Sequence, residues 1–231
     1  MNTEGCHSRW HSFQLGWSRA PYAGGKLSDS GLTGVVLVAG FCLFLTGASF
    51  WKPALYQQEL PAALRAMAQD RKRLRWIQSW MCVGVTVTTL GVALLGALLW
   101  TRGERVLSIL GVGLFGVGAV LWLAALFFRY TVEDWAADQT VQTGEVPAGF
   151  EAWDRWAGAL HSFHMVSAYL SWALIGGSLI STAVVPIWLG WSGVALGVLL
   201  SLGFAALKGG PLSPPILAHV FPLAVGIALL V

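Results

Sequence analysis

The sequence predicts an all-α fold, a polytopic membrane bundle of six transmembrane helices with amphipathic helices at the interface. Six apolar stretches, centred roughly on residues 41, 89, 117, 168, 198 and 222, carry that prediction. Each is long enough for a helix to cross ~30 Å of hydrocarbon, which takes ~20 mostly apolar residues. Stretches 83–100 and 106–128 contain no ionisable residue at all. A composition of 56% hydrophobic and only 11% charged residues over 231 positions is far from that of a soluble domain.

Residues 1–30 hold Gly, Ser, His, Trp and scattered charge without an apolar period, and are expected to form an irregular or disordered tail. They lack the apolar core of a secretory signal, so the first span has to direct insertion. Cys6, His7 and His11 in this tail have no second cysteine or ligand-spaced carboxylate to complete a metal cluster. The remaining region, 31–231, reads as one membrane domain.

Span one covers about 32–51. The connection after it, 52–75, is strongly basic, and Leu64, Met67, Ala68 and Leu74 fall near one helical face beyond Pro61. It reads as an interfacial helix feeding span two. Arg71, Lys72, Arg73 and Arg75 are the expected contacts to anionic lipid headgroups, each worth ~1 kcal/mol near a charged leaflet. Docking of this run onto the acidic loop that follows span three is the intramolecular alternative.

Span two, about 77–100, and span three, 106–128, are joined by a tight turn and must be antiparallel neighbours. The segment 129–155 then carries Glu133, Asp134, Asp138, Glu145, Glu151 and Asp154. It reads as an acidic extramembrane loop with short helices, one capped at Thr131 and one breaking at Pro147 and Gly149. Phe150, Trp153 and Ala157 share one face, which predicts a helix lying on the membrane before span four, 157–182, turns in. Span five covers about 189–207. Lys208 and two glycines make the last turn, and span six uses 213–231.

Lys and Arg by side give an orientation. The connections after spans one, three and five hold nine cations, the tail and the opposite connections five. The positive-inside rule places the basic and acidic segments in the cytoplasm and both termini outside. The use of Arg over Lys, with abundant Ala, Gly, Val and Trp, suggests a bacterial inner membrane. A formal charge of +3 is too small and dispersed for nucleic acid.

In this topology spans four and six enter from the same surface. At ~1.5 Å per residue, His161 and His164 then lie about 6 and 10 Å below the start of span four, and His219 about 9 Å below the start of span six. Intramembrane ionisable residues are costly without partners, so the three imidazoles form the candidate cofactor-binding site. His164 and His219 could ligate haem b iron axially, or bind a transition metal with a third ligand, with His161, Gln78, Ser79 and Cys82 in support. The competing reading is a set of histidines hydrogen-bonded for packing.

Gly190-Trp191-Ser192-Gly193, followed by Ala218-His219 in the last span, resembles the GxSG motif and late histidine of rhomboid intramembrane proteases, which also build on six helices. The resemblance implies Ser192 as nucleophile and His219 as base. The expected topology separates them, because antiparallel consecutive spans put the two about 10 Å or more apart along the membrane normal. Gly193, Gly197 and Ser201, Gly84, Thr88 and Gly91, and Gly111 with Gly118 form small-residue stripes that let helix backbones approach.

A non-catalytic subunit, assembly factor or small-ligand binder is the leading expectation, with a membrane-protein partner or a second copy of the chain as its company. A haem- or metal-binding electron carrier comes second. A small-solute transporter comes third, because loop lengths in the two halves do not match as an inverted repeat would require.

Overall fold

The computed structural model describes residues 28–207 and 212–231. The expected tail up to residue 27, with Cys6, His7 and His11, and the turn at Lys208 lie outside these residues. Among the described residues all the regular structure is helical, with no strand, and five helices are long and apolar enough to cross a membrane.

Helix α1, Asp29–Ala48, starts where the Ser28 hydroxyl accepts the Gly31 N–H at 3.1 Å, satisfying one of the orphan donors of the first turn. A short 3-10 turn, Pro53–Gln57, leads to α2, Leu60–Gln69, which buries Ala63, Leu64 and Met67 on one face. Helix α3, Arg71–Thr101, absorbs the basic run into its own first turn rather than beginning at the apolar boundary. Helix α4, Val106–Phe128, continues through a π-helical turn, Arg129–Glu133, into α5, Asp134–Thr143. The cap expected at Thr131 is therefore absent: its hydroxyl donates to the Phe127 carbonyl, 2.7 Å, one turn back in an unbroken helix.

Gly144 and Gly149, at φ +83° and +81°, bracket the turn into α6, a left-handed conformation in which a Cβ would be strained. Helix α6, Phe150–Thr182, runs without interruption. The expected surface helix before span four is thus the first two turns of the span itself, directed along the same axis. Helix α7 is Ile187–Ala206, and α8 is Leu217–Ala228 with Pro222 inside it. At twelve residues, ~18 Å, α8 is shorter than the sixth span expected from 213–231.

The long helices pack in the order α1, α3, α4, α6, α7, and α8 touches α1, α3, α6 and α7, closing the arc. Small residues set the closest crossings. A Cβ on Gly84 would strike the Phe44 backbone of α1, and one on Gly197 the Tyr169 carbonyl and Ala173 backbone of α6. Helices α3 and α6, ~46 and ~50 Å long, exceed the hydrocarbon thickness. Their N-terminal turns, with α2 and α5, build a separate lobe around Leu64, Met67, Leu74, Phe128, Ala136 and Phe150.

Candidate functional site

The three expected histidines are brought to one region by α6 and α8, which are in contact. His219 is fully buried: its Nδ1 lies 3.0 Å from the Thr88 hydroxyl of α3, and its ring stacks on Phe44 of α1 at 4.1 Å between centroids. His164, 1% exposed, stacks on Trp122 of α4 at 5.4 Å. Trp122 also contacts the His161 ring at 4.8 Å. The Nε2 of His161 meets both the backbone carbonyl and the hydroxyl of Ser213, at 2.9 and 3.0 Å.

That last contact has a structural role of its own. Residues 212–216 are not α-helical, and the carbonyls of half-buried irregular backbone need partners. His161 serves Ser213, and the Tyr169 hydroxyl donates to the Leu212 carbonyl at 2.8 Å. The strand of chain feeding α8 is thereby fastened to α6.

Five ring nitrogens in the same region find no hydrogen-bond partner in the protein: His161 Nδ1, both nitrogens of His164, His219 Nε2 and Trp122 Nε1. Each unsatisfied buried polar group costs about 1–3 kcal/mol. These nitrogens are the unpaired polar groups that the bundle interior presents around Trp122. Gly118 lies beside His164, where a Cβ would come within 3.5 Å of Nδ1.

The supporting residues expected on α3 do not converge there. Ser79 donates to the Arg75 carbonyl of its own helix, Gln78 lines a small cavity with Arg71, Arg75, Arg129 and Glu133, and Cys82 packs in the apolar cluster around Trp122. Among the described residues no three His, Cys, Asp or Glu side chains come together in a metal-binding arrangement. Thr88, Trp122 and Ser213 complete the layer instead. Thr88 was visible only as a small residue in a packing stripe, and Trp122 only as one aromatic in an apolar run.

The protease-like pair is not assembled. The Ser192 hydroxyl donates to the Leu189 carbonyl, 2.7 Å, within α7, while His219 is engaged by Thr88. Gly190 and Gly193 of the same motif pack against Gly176 and Trp172 of α6.

The basic run divides into two. Arg71 pairs with Asp134 and Asp138 of α5, and Arg75 with Asp134, so these two expected headgroup contacts bind carboxylates of the lobe. Lys72 and Arg73 are exposed. Beside them Lys52 pairs with Asp70, and this ion pair holds the Asp70 carboxyl below its usual range. Arg129 lies over the stacked rings of Trp51 and Tyr56, 5.6 and 4.6 Å from their centroids, and 3.7 Å from the buried Glu133. Burial pushes the Tyr56 hydroxyl up to about 12, and the opposing pull of Arg129 does not offset it.

With this geometry in place, comparison with known proteins adds no relative: no family model, no curated protein and no solved structure matches the chain.

Proposed function

We propose that the protein is a non-catalytic, six-span protein of a bacterial inner membrane that binds a small ligand inside its bundle, between His161, His164, His219 and Trp122. The ring nitrogens without protein partners carry this reading, because buried polar groups ordinarily hydrogen-bond to something. Two of the imidazoles are also held in place, His161 by Ser213 and His219 by the Thr88 hydroxyl. The sixth crossing is supported by the reach of the last segment, which meets His161 at Ser213 and lies against Gly34, near the start of α1, at Gly226 and Leu230. On this reading the lobe faces the cytoplasm and the termini lie outside, following the excess of cations on the lobe side.

A second reading, an electron carrier holding haem b or a transition metal, is favoured by one observation. His164 and His219 come from different helices and each keeps a ring nitrogen available. Native mass spectrometry, an absorption spectrum and metal analysis of gently solubilised protein separate the two. The first reading expects a colourless, metal-free protein carrying a small non-protein mass that His164→Phe abolishes. A Soret band lost in His164→Ala or His219→Ala selects the second. A protein with no bound mass, unaltered by His164→Phe, overturns both.

A further inference from the structure

A local excess of positive charge sits at one defined place on the lobe. Along the start of α3 and its ion-pair partners, the cations Lys52, Arg71, Lys72, Arg73 and Arg75 face the carboxylates Asp70, Asp134 and Asp138, leaving two positive charges in excess. Because Lys52, Arg71 and Arg75 are the paired members, the excess resides on Lys72 and Arg73. Both are exposed.

Arg73 lies over an open groove that it lines together with Phe50 and Trp76. Its Nη2 donates to the Phe50 backbone carbonyl at 3.4 Å, which holds the guanidinium at the groove rim. The aromatic floor continues away from the lobe: Phe50 meets Trp76 edge to face at 5.2 Å, and Trp76 meets Trp80 at 6.2 Å. Phe50 and Trp76 stay 48% and 42% exposed despite their size. Aromatic rings of this kind collect at the headgroup level, where one edge meets acyl chain and the other meets water.

We infer that this groove is a binding site for an anionic phospholipid, with Arg73 and Lys72 on the headgroup phosphate and the Phe50, Trp76, Trp80 row against the glycerol and upper acyl chain. Charge complementarity selects the ligand. Two unpaired cations stand at the end of a membrane-crossing helix, beside a ladder of rings running into the bilayer, and a planar guanidinium suits a phosphodiester. The site differs from a general basic anchor in using two of the four cations of the run and in requiring the aromatic row.

The test uses the full chain in lipid nanodiscs, with tryptophan fluorescence quenched by phospholipids brominated in the acyl chain. Wild type is expected to be quenched at about 25-fold lower mole fraction of brominated phosphatidylglycerol than of brominated phosphatidylcholine, about fivefold for each of the two charges. Each cation removed, in Lys72→Gln and Arg73→Gln, reduces that preference about fivefold, the equivalent of ~1 kcal/mol per charge at an anionic leaflet. Arg73→Lys retains most of it, Arg75→Gln leaves it in place, and Trp76→Phe removes the selectively quenched component. Equal quenching by both lipids in wild type, or a full preference surviving in the doubly substituted chain, overturns the assignment. So does loss of the preference in millimolar inorganic phosphate, which identifies a free-anion site.

Discussion

At the scale of single residues, the bundle interior shows which side chains announce themselves in a sequence. His161, His164 and His219 stand out because an ionisable group in an apolar stretch needs a reason, and the structure puts them together. Trp122 gives no such signal: in α4 it is one large apolar residue among many, and its indole N–H becomes notable only once two imidazoles lie against it. Thr88→Val is nearly isosteric and removes the hydroxyl that His219 faces. It should lower stability by about 1–2 kcal/mol in reversible unfolding in mixed micelles. Ala183, following α6, is held at φ +48°, where a Cβ is unfavourable. Ala183→Gly should raise the midpoint in the same assay, by no more than about 1 kcal/mol of stability, because glycine relieves the strain but adds freedom to the unfolded chain.

At the scale of elements, the helices and their small-residue faces were legible, whereas their partners and some of their limits were not. Gly84 and Gly91 could be read as a close-packing stripe on α3, but only the fold assigns α1 as the helix pressed against it. Gly84→Leu should therefore cost about 3 kcal/mol or more by driving a side chain into the Phe44 backbone, seen as loss of a monodisperse, protease-resistant bundle. The first turns of α6 misled for a physical reason. Charges and tryptophans beside an apolar span look the same whether the helix lies flat or continues upright beside other protein, and here the α4 to α5 helix stands beside it. Asp134 holds that layer by pairing with both Arg71 and Arg75. Asp134→Ala should loosen α5 by about 1–2 kcal/mol, discounted for the exposure of its partners, with faster amide exchange confined to α2 and α5.

At the scale of the whole molecule, six apolar stretches made the membrane class evident, and five of them became long helices. The sixth is shorter because Pro214 and Pro215 lack amide donors and Pro222 removes another, so the backbone leading into α8 depends on His161 and Tyr169 to meet its carbonyls. The lobe carries a pH response. The Tyr56 hydroxyl ionises near 10 in an unfolded chain but only at about 12 in the fold, so the folded state holds its proton more tightly across that window. Stability should fall as pH rises from 10 toward 12, and Tyr56→Phe should flatten that decline when unfolding is followed by circular dichroism. Helix α6 joins the two regions as one rod, from Phe150 in the lobe core to His164 about 21 Å below it. A pivot of ~5° at the lobe end would carry the imidazole nearly 2 Å sideways, so whatever grips the lobe also sets the spacing of the buried rings.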